Sequence, residues 1–171
     1  MTINELHIQF DLQPENKIGI LEDIATKCNE GYLFVDSSDG YCYLFDENGN
    51  ENDIKKLKKI DNHLFYYSNI ESIVIPDSVK NIGCLVFYEC KSLTSIEIPD
   101  SVKTIGDYAF ECCINLKSIE IPDSIKSIGY LAFYGCEDLK SLTFKGKTKK
   151  QVKSMGNYPF GIKDESIIRC I

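Results

Sequence analysis

The sequence predicts an α+β protein. It should be a short repeat solenoid, with a non-repeating α/β cap before it and a closing cap after it. Three observations predict this. Segments 70–83, 93–106 and 116–129 superimpose at a spacing of 23 residues. Within each, an I-x-I alternation followed by Pro reads as a short strand with its apolar side inward and a defined stop. Residues 1–53 and 145–171 do not repeat. A repeat of this length cannot bury its own apolar edge, so stacked copies must bury one another's columns.

The elements follow in chain order. Leu6, Ile8, Phe10 and Leu12 alternate with polar residues and predict a half-buried strand. Pro14-Glu15-Asn16 is a turn. Residues 18–28 read as a short helix ended by Asn29-Glu30-Gly31. Residues 32–35 and 41–45 flank Asp36-Ser37-Ser38-Asp39-Gly40 and predict a hairpin. Residues 1–53 are thus a β-α-β-β cap over the first open core face, or a small effector domain carried on the repeats. Asp46-x-Asn48-x-Asn50 begins like a calcium loop. Its sixth position is Glu51 instead of Gly and its twelfth is Leu57 instead of Glu, so it reads as a polar loop.

Residues 54–144 are the repeats: one degenerate copy, three full copies and the strand of a fourth. Leu57, Ile60 and Phe65 of the degenerate copy match Val79, Ile82 and Phe87, with one residue fewer before Ile70. The recurring columns are Ile70/Leu93/Leu116, Ile73/Ile96/Ile119, Ile75/Ile98/Ile121, Val79/Val102/Ile125, Ile82/Ile105/Ile128, Gly83/Gly106/Gly129, Phe87/Phe110/Phe133 and Cys90/Cys113/Cys136. The glycines suit a positive φ or a close approach. The Asp-Ser pair after each proline is turn chemistry. Residues 145–171 form the closing unit. Thr148 with Gln151 is a capping box for a helix running to about Met155, Gly156 suits the terminating position, and residues 166–171 can add a last strand. Gly146-Lys147-Thr148 ends like a phosphate-binding loop, but position 141 is Ser where that motif needs its first Gly.

The repeat L-x-S-I-x-I-P-D-S-V-K-x-I-G, followed by Phe and Cys at fixed offsets, resembles the BspA-like (Treponema-type) leucine-rich repeat family. Its repeats read L-x-x-I-x-I-P-x-x-V-x-x-I-G-x-x-A-F-x-x-C. Leu85-Val86 departs from that pattern, and Cys112 stands where Gly is usual. The closing segment F-K-G-K-T…V-K-x-M…N-Y-P-F-G-I is similar to that of bacterial and phage members. The resemblance implies a leucine-rich-repeat solenoid and a scaffold for protein recognition, with no cofactor. Such proteins range from bacterial surface adhesins to phage and protist proteins.

Composition narrows the function. The chain has 171 residues, 43% hydrophobic and 26% charged, an ordinary globular balance. No apolar run is long enough for a transmembrane helix. No basic and apolar leader is visible, so a cytoplasmic location is expected, with a virion the alternative. The net charge of −7 disfavours direct nucleic acid or an anionic membrane as partner. It hides a polarity: residues 1–53 carry −10, and residues 139–171 carry +6.

Of eight cysteines, Cys90, Cys113 and Cys136 share one column and read as core. No convergent short spacing suggests a metal, and His7 and His63 sit in no nucleophile motif. The protein is therefore expected not to be an enzyme. What remains is surface. The outward strand columns are Glu71/Thr94/Lys117/Lys140, Ser72/Ser95/Ser118/Ser141 and Val74/Glu97/Glu120/Thr143. Tyr66, Tyr67, Tyr88 and Tyr134 are candidate anchors. The acidic cap offers Asp36, Asp39, Asp46, Glu47, Glu51 and Asp53. The expected function is non-enzymatic protein binding through the strand face and the acidic cap. The alternatives are a phage-encoded inhibitor, an anti-CRISPR for instance, that mimics nucleic acid toward a basic host protein, and a surface adhesin or virion component.

Overall fold

Successive turns of one coil stack on one another, each lending its apolar edge to the next. The computed structural model describes residues 26–28, 31–35, 42–45, 51–52, 54 and 57–171. The first strands form an antiparallel sheet in the order β1 (Thr26–Cys28), β2 (Gly31–Val35), β3 (Cys42–Phe45), β4 (Glu51–Asn52). The β2–β3 pair, with Val35 opposite Cys42, is the hairpin expected from the sequence. Two expectations are corrected. Thr26–Cys28 ends the segment read as a helix but is a strand. Cys28 pairs with Gly31, and the ladder to β2 outweighs local helical pattern. Glu51–Asn52, read as polar loop, pairs with Leu44 and Phe45. The strand expected around residues 6–12, the Pro14 turn and the rest of the helix lie outside the described residues.

The solenoid carries two parallel stacks. One holds β5 (Lys59–Ile60), β7 (Asn81–Ile82), β9 (Thr104–Ile105) and β11 (Ser127–Ile128) in an unbroken sheet. Ile60 sits opposite Ile82, a step of 22 that absorbs the residue missing from the degenerate copy, and Ile82 sits opposite Ile105. The other stack is the strand face. It consists of β6 (Ser72–Val74) with β8 (Ser95–Glu97), and separately of β10 (Ser118–Ile121), β12 (Ser141–Phe144) and β13 (Ile168–Cys170). β6 and β8 stop two residues before Pro76 and Pro99, and β10 stops directly before Pro122, so no proline enters a ladder.

A turn ledge forms the remaining side of the coil. Each repeat places two residues there at positive φ, such as Leu85 (56°) with Glu89 (53°) and Tyr108 (56°) with Cys112 (57°). Their amides donate one turn onward: Leu85 N to Asp107 O at 2.9 Å, Tyr108 N to Tyr130 O at 2.9 Å and Cys112 N to Tyr134 O at 2.8 Å. These bonds hold non-glycine residues in a conformation that costs each about 1–2 kcal/mol. The next repeat has Gly135 (φ 72°) in the Cys112 position, which explains the glycine usual there.

Inside the coil, Phe65, Phe87, Phe110 and Phe133 stack face to face at 5.5, 5.1 and 5.4 Å. In the cysteine column Cys90 and Cys113 are core, as expected, and Cys136 is partly buried against it. Each thiol donates to the phenylalanine carbonyl of the preceding turn, Cys90 to Phe65 O, Cys113 to Phe87 O and Cys136 to Phe110 O, all at 3.0 Å. The repeat glycines serve close approach: a Cβ on Gly106 would lie 2.5 Å from the Gly83 carbonyl carbon. Two of the three serines after the prolines bond across turns and not locally. Ser78 Oγ donates to Ile54 O and Ser124 Oγ to Val102 O.

The closing unit follows its expected plan. Thr148 and Gln151 make the full capping box of α1 (Lys149–Ser154). Gly156 follows the cap without a positive φ; Asn157 (68°) takes that conformation instead. Phe160 O then accepts from Phe133 N at 3.0 Å, so residues 157–161 stand in for one more turn of the ledge. The expected last strand is β13, preceded by the 3-10 turn Glu165–Ile167.

Gly106→Ala should therefore push two turns apart and lower stability by about 2–3 kcal/mol in urea denaturation. Gly156→Ala, whose Cβ would meet nothing within 4 Å, should stay within about 0.5 kcal/mol. Cys112→Gly should raise stability by about 0.5–1 kcal/mol, the left-handed strain relieved less the added freedom of the unfolded chain.

Candidate functional site

The candidate surface residues fall on separate faces. Ser72, Val74, Ser95, Glu97, Ser118, Glu120, Ser141 and Thr143 alternate with the inward Ile73, Ile75, Ile98, Ile119, Ile121, Leu142 and Phe144, so the strand face presents the columns expected from the sequence. Glu71, Thr94, Lys117 and Lys140 line its rim, exposed, with Thr94 N donating to Glu71 O and Lys140 N to Lys117 O. Among the described residues, the Ser72/Ser95/Ser118/Ser141 column makes no side-chain hydrogen bond from turn to turn. Among the described residues its side-chain bond is Ser141 with Thr143, at 3.0 Å within one strand.

The tyrosines lie on the ledge. Tyr66 stacks on Tyr88 at 4.9 Å and meets Tyr67 edge-on at 4.5 Å. Tyr67 donates to Glu89, which is paired with Lys91 at 2.8 Å. The hydrogen bond with Tyr66 and partial desolvation push the Tyr67 phenol up to about 12. Tyr66, Tyr67 and Tyr134 are exposed; Tyr88 is half-buried beneath its neighbours. Tyr130, 53% exposed, belongs to the same ledge and was not among the expected anchors. It occupies the position that is Cys84 and Asp107 in the earlier repeats, so no column marked it. Of the acidic cap, Glu51 opens β4; Asp36, Asp39, Asp46, Glu47 and Asp53 lie outside the described residues.

The strand face carries an open groove of about 960 Å³ where β8 meets β10. Its floor is apolar, from Ile96, Ile98, Pro99, Ile119 and Pro122, and its walls bear Asp77, Glu97, Asp100 and Glu120, with Lys145 at one edge. Ile96 is half-exposed, whereas its column mates Ile73, Ile119 and Leu142 are buried. The parallel ladder stops here. β6 pairs with β8 and β10 with β12, but β8 and β10 belong to different sheets. The register gives a cause. Val74 faces Glu97 and Glu120 faces Thr143 in the intact ladders. At the break, the same column sets Glu97 beside Glu120, and like charges on neighbouring strands repel. Sequence reasoning named both glutamates but missed the groove. The signal was present in that column, as two successive acids between a valine and a threonine.

Cys90, Cys113 and Cys136 are held in the thiol form. Burial pushes the Cys90 and Cys136 thiols up to about 12, and the Cys113 thiol further in the same direction. Thiolate, the reactive form, is thereby suppressed. Among the described residues no group of three or more His, Cys, Asp or Glu is placed to hold a metal ion. His63 is exposed on the ledge, edge-on to Tyr66 at 5.6 Å.

A model of the BspA type leucine rich repeat region matches residues 58–165 in six copies. Among solved structures, a leucine-rich repeat protein from Bacteroides capillosus is 23% identical at a TM-score of 0.50, over 71% of this chain and 99% of that one. The leucine-rich repeat protein of T. pallidum is 22% identical at 0.51, over 65% and 56%. The pneumococcal vaccine antigen PcpA is 20% identical at 0.53, over 86% of this chain and 34% of that one. These likenesses concern the fold. No curated protein matches the sequence.

Two outcomes follow from the thiol column. A maleimide pulse on the native protein should leave Cys90, Cys113 and Cys136 unmodified and label them fully after denaturation, as read by mass spectrometry of tryptic peptides. The folded pKa of these thiols lies above the unfolded value of 9.0. Their stabilisation is thus fully present below about pH 9 and lost as the pH rises toward 12. The urea midpoint should fall over that interval, less steeply in a variant with all three replaced by Ala.

Proposed function

The chain belongs to the BspA-type leucine-rich repeat family, and from this we propose that it is a non-enzymatic protein-binding module that binds through its strand face. Repeats of this family generally act as scaffolds for protein interaction. The observation that carries the choice of surface is the groove at β8 and β10. There the face departs from a closed, self-satisfied ladder and combines an apolar floor with charged walls. Such a combination gives area to bind and charge to select.

The tyrosine ledge is the competing surface on the same molecule, and variants separate the two. Glu97→Lys with Glu120→Lys should reduce capture of the partner on an immobilised chain at least tenfold, while Tyr66→Ala with Tyr67→Ala leaves it within about twofold. The reverse pattern moves the binding surface to the ledge. Circular dichroism of each variant checks that the coil persists.

A second reading rests on the charge of residues 1–53, −10 against +6 for residues 139–171. An acidic end of this density supports an inhibitor that competes with nucleic acid for a basic host protein, steered by long-range attraction. Salt-sensitive competition between this protein and DNA or RNA for such a host protein is its expected result. Absence of competition at low salt overturns it.

A further inference from the structure

We propose that the groove between β8 and β10 takes a basic segment of the partner, an extended stretch whose Lys or Arg side chain enters between Glu97 and Glu120. This rests on the strand face being the binding surface and adds the chemistry of what binds there.

Four observations converge on it. First, the walls carry Asp77, Glu97, Asp100 and Glu120 against the single cation Lys145, so the groove is strongly anionic although basic residues dominate the adjoining closing unit. Second, the ladder parts where Glu97 and Glu120 stand side by side and nowhere else in the β6–β13 stack. A cation between these carboxylates would neutralise the repulsion that holds the strands apart.

Third, Lys145 already shows how such a group is received. Its Nζ reaches Glu120 at 2.5 Å, and its backbone amide donates to Ile121 O at 2.9 Å, fixing the stem at the groove's edge. The hydrogen bond it donates to Glu120, with the charges of Glu120, Asp100 and Glu97, holds its ammonium above the usual lysine range. Three carboxylates therefore act on one ammonium that contacts one of them. Lys145 is half-exposed at the rim and pairs with Glu120 alone; among the described residues no cation pairs with Glu97. Fourth, Ser101 is among the residues that line the same groove, with its Oγ buried. Among the described residues that Oγ is the buried side-chain polar atom without a hydrogen-bond partner. Its column mates Ser78 and Ser124 both donate to the preceding turn. What it lacks beside them is an acceptor, and the carbonyls of an extended guest backbone bring acceptors to this wall.

An extended segment suits the site better than a lone ion. The floor is apolar and runs along two strands, and aliphatic stems of Arg and Lys cover such surface while their heads stay with the acids. Arg matches carboxylates in a planar fork and is the stronger candidate head group.

The test uses the full chain and a fluorescein-labelled (Arg-Ser)4 peptide in fluorescence anisotropy, with (Glu-Ser)4 as control. The wild-type protein should bind the basic peptide and not the acidic one. Lys145→Ala, which removes the internal competitor, should tighten binding about fivefold. Glu97→Gln with Glu120→Gln should weaken it at least tenfold and raise the urea midpoint, since the repulsion disappears. Glu137→Gln with Asp138→Asn changes the net charge equally at another place and should leave affinity within about twofold.

Equal losses in the two double variants would mean that bulk charge alone attracts the peptide, and they overturn the proposal. So does unchanged or weaker binding by Lys145→Ala. The outcome is separable from that of the broader reading. If partner capture is lost in the strand-face variants while the peptide never binds, the surface stands and the basic segment falls. If the peptide binds as expected while capture survives Glu97→Lys with Glu120→Lys, the partner uses another face.

Discussion

Every feature of this coil depends on how closely one turn can approach the next. The limit is set where backbones touch. At Gly83, Gly106 and Gly129 an added Cβ would lie within 2.3–2.5 Å of an atom of the neighbouring turn. That contact fixes the interval at which phenylalanine rings stack, amides reach carbonyls one repeat away, and cysteine thiols find the phenylalanine carbonyl behind them. The thiol column is a consequence of the same spacing. A small, weak donor fits a carbonyl that a larger side chain would block, and its burial keeps it protonated. The left-handed residues of the ledge are tolerated for the same reason, because their amides are placed to bond onward.

A coil held so regularly makes its exceptions informative. The unbroken β5–β7–β9–β11 sheet shows that the turns are evenly stacked on that side. The break between β8 and β10 is therefore local to the strand face. It coincides with stacked glutamates, a half-exposed isoleucine, an unpaired serine hydroxyl and the molecule's open groove. Repulsion within an otherwise satisfied scaffold is a cost to folding that a cationic partner would remove. Stability and recognition are thus coupled through one pair of side chains. The tyrosine ledge differs in kind: its rings satisfy one another through stacking and edge contacts.

Much of this was legible in the residues. The 23-residue period named the inward columns, the strands that end before Pro76, Pro99 and Pro122, and the core role of Cys90 and Cys113, with Cys136 packed against that core. The Thr148–Gln151 capping box marked α1 because its signal is local. Local signals misled at Thr26–Cys28, where pairing across the turn to Gly31 overrode a helical pattern. They misled again at Ser78 and Ser124 of the Pro-Asp-Ser turns, which bond to carbonyls 24 and 22 residues away. A pattern read within one repeat does not say which turn will supply the acceptor.

By itself, then, the sequence determined the stacked coil, because a fixed period of apolar residues has one economical way to bury itself. It also determined that Glu97 and Glu120 share a column. Only the tertiary structure decided that this column opens a groove. Whether two neighbouring carboxylates are tolerated, bridged or driven apart depends on what else reaches them. Here the closing unit sets Lys145 against Glu120 and, among the described residues, leaves Glu97 without an ion pair. Those are distances between residues far apart in the chain, and no periodicity records them.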